Sequence, residues 1–293
     1  MTDANAGAQT FSYKVGDIEV IAVADGSRTA PVTPEFVSNA PVEQVKASLN
    51  ADGMPTDQFT TIFTPCVIRT GGKTIVVDTG MGAGAAAQPN ATFGFLMRNL
   101  ASIGIGADDV DVVVISHFHG DHVNGLLAPN GGPAFPKAEV SVPEVEWKYW
   151  MDDAEMARAP AGRMADLFKN NRRVFGPVKD RVTTHAWDKE LAPGVKAIGT
   201  PGHSFGHTSY MVESKGERLF LIQDVANHPF LSLHNPQWHP WFDQDLAQSE
   251  ATRGKIFAWL AEEKIPVLGF HFPFPGFVRI EKTDKAYRAV PIV

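Results

Sequence analysis

The stretch Val114-Ile115-Ser116-His117-Phe118-His119-Gly120-Asp121-His122 decides how this chain is read. It starts within Val110–Ile115, a continuous apolar, β-branched run that predicts a buried strand. The run then gives way to a dense polar stretch, Ser116–Asn124, with three imidazoles and a carboxylate between positions 117 and 122. Imidazole and carboxylate are the ligands that zinc and similar divalent ions prefer. His117 and His119 are two residues apart, so they project to the same side of an extended segment. Asp121 and His122 lie just past the turn and can face a different centre. One ion would not normally take all four from so short a loop, so the pattern suggests two neighbouring ions. The bland alternative is a His-rich surface loop, but ligand types at this spacing rarely arise by chance.

Three later segments repeat the device of an apolar strand ending in a ligand. Thr200-Pro201-Gly202-His203-Ser204-Phe205-Gly206-His207 follows an apolar run, and its Pro-Gly turn lets the backbone approach a bound group. His203 is the favoured ligand there, with His207 as the competitor or as an outer support. Phe220-Leu221-Ile222-Gln223-Asp224 ends in one carboxylate. Alone it would be read as a turn former; beside two imidazole clusters, it reads better as a bridge between ions. Val267–Phe270 delivers His271, and the Pro-Phe-Pro-Gly that follows favours an open site over a core histidine.

Working outward, hairpins are predicted for Phe11–Val15 with Ile18–Ala24 and for Thr61–Thr70 with Lys73–Asp78. Further strands are expected over 138–142, 195–199, 209–213, 218–222 and 277–281. Helices are expected from Pro41, over 92–103, 145–158 and 163–173, and most clearly over 246–263, with Asp243 or Asp245 near its start. Strands in two halves with interspersed helices fit an α/β (α+β) architecture, a single four-layer αββα sandwich spanning 11–293. Residues 1–10 are small and polar and are expected to form a loose tail. The composition of 44% hydrophobic and 20% charged residues excludes a disordered or collagen-like chain. One cysteine, Cys66, excludes an intrachain disulfide and a four-cysteine metal centre. A net charge of −7 argues against nucleic acid as partner. No apolar run is long enough for a membrane span, and the N-terminus lacks a signal-peptide pattern, so a cytoplasmic location is expected.

His117, His119, Asp121, His122, His203, Asp224 and His271 together resemble the seven ligands of the metallo-β-lactamase superfamily in its dinuclear hydrolase form. The resemblance spans most of the chain. It implies that His117, His119 and His203 hold one ion and that Asp121, His122 and His271 hold the other, with Asp224 bridging. Asp78 matches a residue that usually orients the site from behind. The Gly16-Asp17-Ile18-Glu19-Val20 hairpin and the segment after His271 look closest to the methyl parathion hydrolase-like branch. That branch includes organophosphate hydrolases and lactone or aryl ester hydrolases.

The expected cofactors are two divalent ions, zinc first, with cobalt, manganese or iron also compatible. Such a pair generates a bridging hydroxide at neutral pH that attacks a carbonyl carbon or phosphorus. Asp121 is a candidate proton shuttle as well as a ligand, and Asp224 the bridging carboxylate. The expected partner is a small hydrophobic lactone or aryl ester, with phosphotriester turnover possible. A dedicated phosphotriesterase and a non-catalytic metal-binding protein are the alternatives. The resembling phosphotriesterases form dimers and line an apolar mouth with aromatics at about Trp150 and Phe168. A homodimer is therefore expected, and Trp150, Phe168, Phe93 and Asn227 are pocket candidates, although aromatics at helical spacing are more often core. Many acyl-homoserine lactonases carry a Tyr three residues after the bridging Asp, where it helps bind the substrate carbonyl. This chain has Asn227 there.

Overall fold

The computed structural model describes residues 9–293. Most of the tail expected at 1–10 lies outside the described residues, and Thr10 already opens a strand. Two seven-stranded sheets carry the architecture. In the first, Thr10–Val15, Ile18–Val23, Cys66–Thr70, Lys73–Val77, Val112–Val114, Glu139–Pro143 and Val182–His185 lie side by side in that order. In the second, the order is Glu190–Ala192, Val195–Gly199, Thr208–Ser214, Glu217–Leu221, Pro266–Leu268, Phe277–Lys282 and Tyr287–Pro291.

Side-chain alternation explains the layering. Along Lys73–Val77, Ile75 and Val77 enter the core shared by the two sheets, while Val76 faces outward into a second core. Val114 and Val113 divide in the same way. The outward face of the first sheet is covered by helices Leu96–Ser102, Glu144–Trp150 and Arg163–Phe175, which bury Leu100, Trp150, Phe168 and Phe175 against it. On the second sheet, Leu219 and Leu221 point inward. Phe220 points outward, under Ile256, Phe257 and Leu260 of helix Leu246–Glu263. Strands buried on both faces read as continuous apolar runs, and these layers make the four-layer αββα sandwich.

Parallel pairing places the functional ends. Lys73–Val77 and Val112–Val114 are parallel neighbours, as are Glu217–Leu221 and Pro266–Leu268. Parallel neighbours finish at the same sheet edge, so Asp78, the 116–122 loop, Asp224 and His271 all emerge together.

Two expectations are corrected. The first strand of the second hairpin does not run unbroken from Thr61 to Thr70. Gln58–Phe63 pairs with Gly26–Pro31 in a separate two-stranded sheet, and the large-sheet strand restarts at Cys66. Pro65, with no N–H to give a ladder, sits at the break. The helix expected over 145–158 is two helices, Glu144–Trp150 and Asp153–Arg158. Asp152 caps the second, accepting from the N–H groups of Ala154 and Glu155. The excursion between the two short strands carries helix Val42–Ala51. It builds a satellite core from Val45, Leu49, Phe59, Leu231 and Trp238.

Candidate metal centre

The strand ends deliver three groups that could hold a metal ion. In the first, Nε2 of His117 lies 3.0 Å from Nδ1 of His119, which lies 2.8 Å from Nε2 of His203. The second comprises Asp121, His122 and His271, with Oδ2 of Asp121 3.7 Å from His122 Nε2 and 3.6 Å from His271 Nε2. Asp224 stands between them. Its Oδ2 is 3.2 Å from His203 Nε2 and 3.1 Å from His271 Nε2, and its Oδ1 is 3.2 Å from His122 Nε2. His122 Nε2 and Asp224 Oδ1 are buried without a hydrogen-bond partner. Orphaned buried donor atoms in an imidazole and carboxylate set are what divalent ions satisfy, so the residues fit a two-metal centre.

The third group joins His117, His207 and Asp224. His207 Nδ1 lies 2.8 Å from Thr200 Oγ1 and 3.1 Å from the Thr200 carbonyl, while its Nε2 accepts the Asp224 backbone N–H at 3.1 Å. Both ring nitrogens are thus engaged, Nδ1 with Thr200 and Nε2 with the backbone of Asp224. Burial pushes this imidazole down to about 3, so it stays neutral and its accepting nitrogen stays available to that N–H. The geometry favours His203 over His207 as donor.

Three of the donor rings are gripped from behind by an acceptor, which fixes their tautomer and aim. His122 Nδ1 is 2.8 Å from Asp78 Oδ2, His203 Nδ1 is 2.8 Å from Asp243 Oδ1, and His271 Nδ1 is 2.6 Å from the Ile62 carbonyl. Asp78 also accepts from the Ser116 N–H and hydroxyl and from Gln223 Nε2. Its φ of 57° is left-handed, unusual for a residue with a Cβ, and these partners hold it there. Electrostatics divide the imidazoles of the set. Burial and the neighbouring imidazoles hold His117 and His119 well below the usual histidine range. Burial opposes the charge on His122, but Asp224, Asp78 and Asp121 outweigh it and raise its pKa. Burial likewise opposes ionisation of Asp224, yet His271, His122 and His203 draw its pKa well down.

A cavity of about 300 Å³ opens onto the donors. Its apolar walls include Phe59, Phe63, Leu167, Trp241 and Phe242, and Asn227 also lines it. Trp150 and Phe168, expected at its mouth, are fully buried among the helices of the first sheet instead. They point toward the sheet, as an apolar helical stripe ordinarily does. Phe93 stops one ring short, edge-on to Phe63 at 6.0 Å between centroids.

Several functional positions escaped the sequence reading. Asp243 lies two residues before Asp245, which accepts from the Gln248 N–H and caps the long helix. Only the fold separates the capping carboxylate from the one that holds His203. Glu146 is fully buried and accepts from the N–H groups of Phe118 and Gly206, the Ser204 hydroxyl and Trp150 Nε1. The only signal it left was an acidic residue between the apolar Val145 and Trp147 of an aromatic-rich helix.

An αββα sandwich whose strand ends gather five imidazoles and two carboxylates at an apolar cavity defines a metal-dependent hydrolase. The chain belongs to the metallo-beta-lactamase superfamily, whose profile matches residues 66–222, more than half of it. It is 26% identical over 196 residues to an N-acyl homoserine lactonase of Bacillus cereus, covering 62% of this chain and 70% of that one. Among solved structures it superposes on AidC, a dizinc quorum-quenching lactonase in complex with a product, N-hexnoyl-L-homoserine. The TM-score is 0.88 at 22% identity, over 98% of this chain and 99% of that one. It also superposes on the hydrolase AbOPH of the beta lactamase superfamily, with a TM-score of 0.87 at 28% identity over 98% of each chain.

Proposed function

We propose that this chain is a dinuclear metal-dependent hydrolase of hydrophobic lactones, with aryl esters as related substrates. The observation that carries the reading is the pair of donor sets meeting at Asp224 beneath an apolar-walled cavity. In this reading His117, His119 and His203 would hold one ion and Asp121, His122 and His271 the other, with Asp224 available to both. Zinc is the metal proposed first. Two such ions supply Lewis acidity and lower the pKa of water toward neutrality. The residues do the remaining work. The phenylalanine and tryptophan walls favour a neutral, apolar substrate over a charged one. Asp121, the one carboxylate of the set with substantial exposure, 24% against 4% for Asp224, is positioned to pass a proton to the leaving alkoxide. Similarity to N-acyl homoserine lactonases supports a lactone over other esters. Trp150 and Phe168, the positions at which the resembling phosphotriesterases line their mouth, are core residues here and lend a phosphotriester no support.

The test is kcat/KM of zinc-loaded protein on N-hexanoyl homoserine lactone beside an aryl dialkyl phosphotriester. The lactone is expected to be the better substrate, and His119→Ala to reduce its turnover by more than about 100-fold. Lactone turnover no faster than the phosphotriester's, with two ions bound, would sink the reading.

A further inference from the structure

Arg163 is the first residue of helix Arg163–Phe175 and lines the cavity. Its Nη2 donates to the Phe242 carbonyl at 3.1 Å and lies 3.1 Å from Nε2 of His119. The guanidinium carbon stands 5.0 Å from the centre of the Trp241 ring. These partners orient the guanidinium plane, since stacking on an indole and a carbonyl contact both suit it. None of them neutralises it, and Asp121 and Asp243 act on it only through space. A partly desolvated cation without a paired anion, in the wall of a substrate cavity, has unspent hydrogen-bonding capacity.

Asn227 turns its Nδ2 toward the donor set: one N–H goes to Asp224 Oδ2 at 2.9 Å, and the nitrogen also lies 3.4 Å from His203 Nδ1. Arg163 approaches the outer nitrogen of His119, whereas the inner one faces His117 and His203. A whole imidazole ring therefore separates the guanidinium from the centre of the donor set. The guanidinium thus lines the cavity outside the cluster of donor nitrogens, on the side where the part of a substrate away from its reacting carbonyl would lie. Leu167, one turn along the helix, lines the same cavity. A polar acceptor followed by apolar chain is the profile of an acylamino substituent.

Resting on the lactone reading above, we propose that Arg163 is a specificity-determining residue whose guanidinium binds the amide carbonyl of an acylamino lactone. The substrate class is thereby narrowed from hydrophobic lactones at large to lactones bearing an amide beside the ring.

The experiment uses zinc-loaded wild type, Arg163→Met and Arg163→Lys, each first shown to hold two ions. The substrates are N-hexanoyl homoserine lactone and an unsubstituted γ-lactone of similar length. Calorimetry also measures binding of the ring-opened N-hexanoyl homoserine. A charge-assisted hydrogen bond predicts a loss of kcat/KM on the acylamino lactone on the order of 10- to 100-fold in Arg163→Met, mostly in KM. The unsubstituted lactone should change by less than about threefold, with Lys restoring part of the loss. Affinity for the ring-opened product should fall by a factor comparable to that on the acylamino lactone. Equal losses on both lactones, or none on the acylamino one, overturn the proposal. A wild type that turns over neither lactone sinks the hydrolase reading instead. Calorimetry then decides on Arg163 alone: weaker binding by Arg163→Met supports the role and unchanged affinity overturns it.

Discussion

Asp243 accepts from the Ser249 hydroxyl at 2.6 Å and from Arg253 at 2.9 Å on one oxygen, and turns the other to His203. Arg253 is itself buried, so the carboxylate both balances an interior cation and holds a donor ring. Asp243→Asn keeps the shape and removes the charge. Zinc affinity of the first donor set should fall on the order of 10-fold or more, read by chelator competition, while the second set changes less. Uniform weakening of both sets would refute that division of labour. His185 gives a residue-scale prediction remote from the centre. Burial pushes its imidazole down to about 4 from an ordinary 6.5, and its Nε2 is buried without a partner. A depressed histidine pKa means that the fold holds the neutral form. Its contribution is therefore complete above 6.5 and is lost as pH falls toward 4. Wild type should lose about 2 kcal/mol by pH 5 through this group alone. His185→Phe should show a correspondingly flatter profile in denaturant titrations between pH 7 and 5, and parallel profiles would refute the linkage. At this scale the donors were legible in the sequence because each stands at the end of an apolar run. Their supports were not: Asp243 meets His203, and Glu146 meets Phe118 between two donors, through contacts 40 and 28 residues away in the chain.

Helix Glu144–Trp150 shows what an element adds. One face, with Trp150, packs on the first sheet, and Glu146 reaches the loops of both His119 and His203. Its oxygens receive two backbone N–H groups and a hydroxyl from loops that arise on different sheets, and the indole N–H of Trp150 from its own helix. Burial raises its pKa despite these donors. Glu146→Gln puts an NH₂ where donors already point, so at least one of these bonds is lost. Stability should drop by about 1–3 kcal/mol. The first donor set should also lose zinc affinity relative to the second, and Glu146→Ala should lose more. A stability loss with both sets binding zinc as wild type does would reduce the residue to a plain core contact. The elements themselves were mostly legible, since two-sided burial leaves continuous apolar runs. Val182–His185 and Tyr287–Pro291 were not, because these edge strands are half exposed and carry no such run. The helix break at Asp152 was visible only as a capping residue within a pattern that otherwise continued.

At the scale of the molecule, the centre joins two layers that meet through a shared apolar core and a few hydrogen bonds, such as the one from the Tyr210 hydroxyl to the Ile115 carbonyl. His117, His119, Asp121 and His122 follow a strand of the first sheet, while His203, Asp224 and His271 follow strands of the second. Each proposed donor set draws on both sheets, so bound ions cross-link the sandwich at its open edge. Four-layer packing could be inferred from the strand pattern, but which edge would hold the ligands depended on parallel pairing across long connections. Metal removal should therefore destabilise the whole fold and not just a loop. Because ligand binding to the native state adds about 1.4 kcal/mol per tenfold excess of free metal over its Kd, the melting temperature should climb with zinc activity. Both sheets should melt in one transition in the loaded protein. Hydrogen exchange should show protection lost on chelation at the ends of Val112–Val114 and Glu217–Leu221 together. Loss confined to one sheet would mean that the ions decorate a single layer, and the cross-link would have to be abandoned.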